Sequence, residues 1–146
     1  MSIKRLAGSI GAGMVAAASV AALTAAPANA APGVDPPKFV AIAYSPATGA
    51  FGWHNEVYSY DEAVNGAFAH CFNSGGTDCT LAAIIEGGCA SLLINAERPS
   101  VWGAGARMSR DEAFGAALND YRTRAGSLLG NGNYRTVIEC AFNPHW

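Results

Sequence analysis

Four cysteines are the residues of this 146-residue chain whose type and spacing most directly imply chemistry. An even number of cysteines in a short secreted chain is typical of a disulfide framework, and four allow three pairings. We prefer Cys71–Cys79, which closes a local loop, with Cys89–Cys140, which ties the last predicted strand to the middle of the sheet. No Cys-x2-Cys pair occurs, so we predict that these cysteines hold no metal.

The remaining reactive side chains do not combine into a catalytic pattern. The histidines are His54, His70 and His145, and no Gly-x-Ser-x-Gly motif accompanies them. Glu86 and Glu139 occupy equivalent positions at the ends of two predicted strands, and a glycosidase needs two carboxylates facing each other across a cleft. Carboxylates at strand ends are more commonly solvated, so we predict no catalytic residue.

A glycine-rich segment imitates part of a cofactor-binding motif. Gly103-Ala104-Gly105 follows a predicted strand and precedes a helix, as in a dinucleotide-binding loop. Met108 stands where the third glycine would be, and no acidic partner for a ribose can be placed. We therefore predict no cofactor and expect these glycines to permit a close strand approach or a bulge.

The N-terminus has the pattern of an export signal. Lys4 and Arg5 precede an apolar run of small residues, and Ala28-Asn29-Ala30 follows as a cleavage motif. The alternative, a retained membrane anchor, fits less well because the run is weakly hydrophobic and the cleavage motif follows it directly. We predict a signal peptide at 1–30, a flexible leader at 31–38 and one disulfide-stabilised domain at 39–146.

Composition narrows the possible partners. Removing the predicted signal takes away two basic residues and leaves seven basic and eleven acidic ones, a net charge of −4. A small acidic domain lacks the excess of basic residues that binding to nucleic acid or anionic lipid requires. We expect a secreted protein, extracellular or in the cell envelope, without stable membrane insertion after cleavage.

Two segments fifty residues apart resemble each other. Ser59-Tyr60-Asp61-Glu62-Ala63 corresponds to Ser109-Arg110-Asp111-Glu112-Ala113. In each segment a serine lies three residues before a glutamate, which is the capping box that begins a helix. Apolar residues at helical spacing follow both boxes. The offset predicts an internal repeat.

The pattern around each helix predicts the same unit of strand, strand, helix and strand. The fold class we expect is α+β, with two such repeats forming one mainly antiparallel sheet of about six strands and two helices packed on it. Leu81 to Ile85 is apolar on both sides, which favours a central strand. A sheet covered by helices on one face would expose aromatic side chains on the other, as a possible binding surface.

The same residues resemble a known family. Similarity to the exported proteins catalogued as domain of unknown function 4189 is carried by Ala41-Ile42-Ala43-Tyr44-Ser45, the Gly52-Trp53 step, the helix ending in Cys71, Cys79, the Cys89-Ala90 pair and a terminal strand closing with Cys140-Ala141. These proteins are common in mycobacteria and their relatives. The resemblance covers about residues 39–142. It implies a two-repeat α/β sandwich with two disulfides, brings no enzymatic residues, and suggests action as a secreted factor during infection.

These observations favour an exported, non-enzymatic binding or effector-type protein. Its partner would be an unknown protein or envelope component. The alternative is a small secreted hydrolase or glycan-active enzyme, which would show a concave pocket where histidine or acidic groups converge.

Overall fold

The two halves of the chain have the same order of elements. The computed structural model describes residues 35–126 and 133–141, all within the unit Val34–Trp146. The first half contains β1 (Phe39–Tyr44), β2 (Phe51–Val57), α1 (Tyr60–Asn73) and β3 (Thr80–Glu86). The second contains β4 (Cys89–Asn95), β5 (Trp102–Arg107), α2 (Arg110–Ala125) and β6 (Tyr134–Cys140). The predicted signal peptide, residues 31–34 of the leader, most of the loop before β6, and the tail with His145 and Trp146 lie outside the described residues.

The strands form two sheets of three antiparallel strands, in the orders β2-β1-β3 and β5-β4-β6. The prediction of one six-stranded sheet is therefore wrong. Both edges of each central strand, β1 and β4, are occupied by strands of the same half, so the halves do not join through strand pairing. Instead the sheets meet face to face. Val40, Ile42, Leu92 and Ile94 belong to one buried cluster between them.

The role expected for the Leu81–Ile85 segment is also wrong, because β3 is an edge strand. Its apolar residues occur on both sides because both faces of this sheet are covered. Leu81 and Ile84 pack in the cluster beneath α1, whereas Ile85 reaches the cluster between the sheets. The face that was expected to be open is thus covered by the other sheet.

The outer face of each sheet is covered by the helix of its own half. Helix α1 contributes Ala63 and Ala67 to a buried cluster with residues of β1, and α2 contributes Ala117 and Tyr121 to a cluster with Leu93 of β4. The resulting layers are helix, sheet, sheet and helix. Both central strands are buried along almost their whole length.

Glycines in the edge strands let the helices approach closely. A Cβ atom on Gly52 would lie 2.2 Å from the backbone nitrogen of Cys71, and one on Gly103 would lie 2.2 Å from that of Tyr121. The register between β4 and β5 is unbroken, whereas both pairings of β1 contain an irregularity. The glycines at 103 and 105 therefore accommodate a helix, not the strand contact or bulge expected from the sequence.

Both helices begin directly after the two serines that the sequence predicted as their N-caps. The Ser59 hydroxyl accepts a hydrogen bond from the Glu62 backbone N–H at 3.4 Å, and the Ser109 hydroxyl accepts one from Glu112 at 3.3 Å. At Ser109 the glutamate side chain also accepts from the serine backbone N–H, which completes the capping box. The reciprocal bond is not seen at Ser59, so the two caps are unequal.

The difference between the caps predicts a difference in stability. Ser109→Ala should lower the free energy of unfolding by about 1 kcal/mol, because it removes a hydroxyl that accepts from the Glu112 backbone N–H and also donates to the Glu112 carboxylate at 2.9 Å. Ser59→Ala should cost less. Urea unfolding of the oxidised protein measures both, and an equal or larger loss for Ser59→Ala would contradict this ranking.

The close helix contact predicts a second stability difference. Gly103→Ala should destabilise the fold by about 1–3 kcal/mol, because the new methyl group would collide with backbone atoms that no side-chain rotation can move. Gly115→Ala on α2 is the matched control, since its Cβ meets nothing within 4 Å. The control should stabilise by about 0.5–1 kcal/mol through helix propensity. Similar unfolding curves for the two variants would show that α2 does not pack closely against Gly103.

Candidate functional site

The candidate site is a surface cleft of about 470 Å³. Four segments form it: the turn between β1 and β2, the start of β2, the turn after α1, and the start of β6. We call it the cleft; its lining residues are Thr48, Gly49, Ala50, Phe51, Trp53, Ser74, Gly75 and Arg135. Arg135 belongs to the sheet of the other half, so the cleft exists only because the two sheets are stacked.

Aromatic rings and one guanidinium group dominate the cleft. The rings of Phe51 and Trp53 stack with centroids 5.9 Å apart and an interplanar angle of 24°. The guanidinium carbon of Arg135 lies 5.6 Å from the centroid of the Phe51 ring, which is within the range of a cation–π contact. Trp53 remains 41% exposed. The cleft therefore offers an apolar surface beside a positive charge.

A hydrogen-bond network fixes the turns beside the cleft. The buried Ser45 hydroxyl donates to the Asp78 carboxylate and accepts from the Thr48 hydroxyl at 2.9 Å. Asp78 also accepts from the Ala47 backbone N–H at 3.2 Å, and the Thr77 backbone N–H donates to Ser45 at 3.3 Å. The β1–β2 turn is thus bonded to the turn after α1.

The Cys71–Cys79 disulfide braces the same region by joining α1 to the residue before β3. Cys89 and Cys140 are paired neighbours on β4 and β6, and they form the second disulfide. These are the two pairs preferred from the sequence. The described part of the chain contains no free cysteine and no group of three or more metal-ligating side chains.

A buried tyrosine lies beside the cleft. The Tyr44 hydroxyl donates to the Pro99 carbonyl at 2.7 Å, and Tyr44 pairs with Phe51 on the adjacent strand. Burial raises the pKa of Tyr44 to about 12; the charge of Arg135 lowers it and that of Asp78 raises it. The phenol therefore stays protonated at neutral pH and acts as a structural donor.

The sequence-predicted acidic and histidine candidates lie elsewhere. Glu86 is exposed at the end of β3, whereas Glu139 lies in the other sheet. His54 and His70 stack with ring centroids 6.0 Å apart, and the His54 ring occupies the space above Gly66 of α1. Neither histidine lines the cleft.

Strand register shows which residues occupy corresponding positions in the two halves. Trp53 pairs with Ile42 of the central strand β1, and Ala104 pairs with Leu92 of the central strand β4. Trp53 and Ala104 therefore correspond. Ala104 packs against the core between the sheets, whereas Trp53 is exposed in the cleft.

The third strand of each sheet shows the same contrast. By their pairing with β1 and β4, Thr80 corresponds to Arg135 and Ile85 corresponds to Glu139. The equivalence of Glu86 and Glu139 expected from the sequence is therefore wrong, because Glu86 corresponds to Cys140. Ile85 packs against the inter-sheet core. The first half thus has Thr80 and Ile85 at positions where the second half has the charged residues Arg135 and Glu139.

The cleft was not predicted from the sequence, although a signal for it was present. The repeat is visible in the sequence through the residues that the halves share, whereas the cleft lies where they differ. Because β3 contains an irregularity, a fixed offset along the chain does not align Arg135 with Thr80. Only the register in the folded sheets shows these differences.

Comparison with family models identifies the family. Residues 39–131 match the model described as Domain of unknown function (DUF4189), and the chain belongs to this family. The family membership inferred from the sequence is thereby confirmed. No match was found among curated proteins or solved structures. In the described part of the chain, no helix is long and apolar enough to cross a membrane.

Partial burial of Glu139 predicts a pH effect on stability. Burial raises its pKa above the ordinary 4.5, and the charge of Arg110 offsets part of the rise. The folded protein therefore holds this proton more tightly than the unfolded chain. The resulting stability is complete below the unfolded-state pKa and is lost as the pH rises through the folded-state pKa.

Glu139→Gln cannot ionise, so it should escape this loss. Its free energy of unfolding relative to the unsubstituted protein should rise between about pH 4 and pH 7, as measured by urea unfolding. Glu86→Gln, at an exposed position, is the control and should show a smaller change. A Glu139→Gln difference that stays constant with pH would contradict the predicted effect.

Proposed function

We propose that this chain is an exported, non-enzymatic binding protein that holds its ligand in the cleft. The observation that carries the proposal is the exposed Trp53 beside Arg135. The second half has Ala104 at the position of Trp53, and the first half has Thr80 at the position of Arg135. A concave site with an aromatic surface and few, fixed polar groups is typical of ligand binding. The partner would be an envelope or extracellular component.

The fixed geometry of the cleft rim supports a binding function over a purely structural role. The Ser45–Asp78 bond and the Cys71–Cys79 disulfide hold its rim in place before any ligand arrives. A preorganised rim reduces the entropy lost on binding. The side chains that would contact a ligand, Trp53 and Arg135, are both exposed.

Export is part of the proposal. Two disulfides are consistent with an oxidising extracellular environment. The predicted signal peptide at 1–30 would provide the route. The internal repeat is also proposed, and the shared element order and sheet order of the two halves support it.

Two substitutions test the binding site without risk to the core. Trp53→Ala introduces the residue type of Ala104, its counterpart in the second half, and Arg135→Thr introduces that of Thr80, its counterpart in the first half. Both variants should therefore fold with little loss of stability. Tyr58→Ala is the control, because Tyr58 is 54% exposed and does not line the cleft.

The experiment is a titration followed by NMR of the oxidised protein. The probes are glucose, glucuronate, glucose 6-phosphate, adenosine monophosphate and the dipeptide Leu-Phe. At least one should shift the Trp53 indole signal and the Gly49 and Gly75 amides. The shifts should disappear in Trp53→Ala and persist in Tyr58→Ala.

Three results would overturn the proposal. If no probe moves these signals, or if the shifts survive Trp53→Ala, the cleft is not a binding site for these ligand classes. If a probe with a hydrolysable bond (glucose 6-phosphate, adenosine monophosphate or Leu-Phe) is cleaved over time, and Trp53→Ala stops the cleavage, the chain is instead a hydrolase.

A further inference from the structure

We infer that the cleft binds a pyranose sugar that carries an anionic group, with the ring against Trp53 and the anion on Arg135. This inference rests on the proposed function and names the ligand class of the same site. Three features carry it: the aromatic surface, the polar groups at its edge, and the position of the guanidinium group.

The aromatic surface suits one face of a sugar ring. A pyranose presents C–H groups on its faces and hydroxyl groups around its rim. The Trp53 indole is exposed, and the Phe51 ring stacked beside it widens the apolar surface. Aromatic side chains of this kind give a large contact area at little conformational cost.

The edge of the cleft suits the hydroxyl rim of the same ligand. Ser74 lines the cleft with a hydroxyl group that can donate and accept hydrogen bonds. The Thr48 hydroxyl also lines the cleft, but its proton is already donated to Ser45, so it can only accept from a ligand. Gly49 and Gly75, both with positive φ, form the adjacent turns. A Cβ atom on Gly75 would meet nothing within 4 Å, so there is open space beside the backbone there.

Arg135 determines the charge of the ligand. It is the charged residue among those that line the cleft, and no carboxylate in the described ranges forms an ion pair with it. Its guanidinium group lies over Phe51, so one face of the cation is shielded by the ring. A guanidinium group binds carboxylate or phosphate through two parallel hydrogen bonds.

The size of the cleft limits the ligand to a small unit. A volume of about 470 Å³ is in the lower part of the range for small-molecule sites. Because the cleft lies on the surface, the bound unit can be free or the end of a longer glycan.

Binding constants for matched sugars test the inference. Glucuronate, glucose 6-phosphate and glucose share one ring and differ in the anion, so they separate carboxylate from phosphate recognition. The dissociation constant of at least one anionic sugar should be about tenfold or more below that of glucose, the usual effect of a charge-assisted hydrogen bond.

Substitution of the cation should remove this preference alone. In Arg135→Thr the anionic sugar should bind no better than glucose does, while glucose binding stays unchanged. Arg107→Thr removes an exposed arginine outside the cleft and should leave all three constants unchanged. In Trp53→Ala, all three sugars should bind more weakly.

The outcomes separate this inference from the proposed function. If glucose binds as tightly as its anionic relatives, or if adenosine monophosphate or Leu-Phe binds in the cleft more tightly than every sugar, the ligand class is wrong but the binding site stands. If no probe shifts the cleft signals, both proposals fail.

Discussion

Burial of both faces of both sheets is the constraint on which the rest of the structure depends. Each central strand is apolar at nearly every position, so a covering layer is needed on each side. The helix of the same half covers one side, and the other sheet covers the second. Ile42 and Leu92 meet between the sheets, whereas Ala43 and Leu93 face the helices. Neither half could bury its inner face alone.

Stacking two similar sheets also produces two similar contacts between their edges. Strand β3 lies against β5 along one contact, and β2 lies against β6 along the other. Ala83, Ile85 and Ala104 close the first by packing into the core. At the second, Trp53 and Arg135 are too large and too polar to pack in the same way, and the cleft opens there. The site is thus a local departure from a packing scheme that the same molecule completes elsewhere.

The sequence predicted local structure well because local structure depends on neighbouring residues. The serines at 59 and 109 mark the helix starts through bonds that span three residues, and the strand patterns are similarly local. The sheet arrangement was not predictable in this way. A strand such as β1, with Phe39 to Tyr44 apolar throughout, requires two covering layers without specifying whether each is a helix or a sheet. The cleft depends on that missing information, because Arg135 reaches Phe51 only when the sheets stack.

The comparison of the halves bears on why Trp53 and Arg135 are present at all. The second half, with Ala104 in place of Trp53, packs its helix on its sheet in the same way. The first half, with Thr80 in place of Arg135, forms the same strand order. The fold therefore does not require a large aromatic residue or a cation at these positions. An exposed indole loses part of the benefit of burial, so a purely structural account gives no reason for this pair. Contact with a ligand supplies one, because it would cover the indole and pair the guanidinium group at the same time.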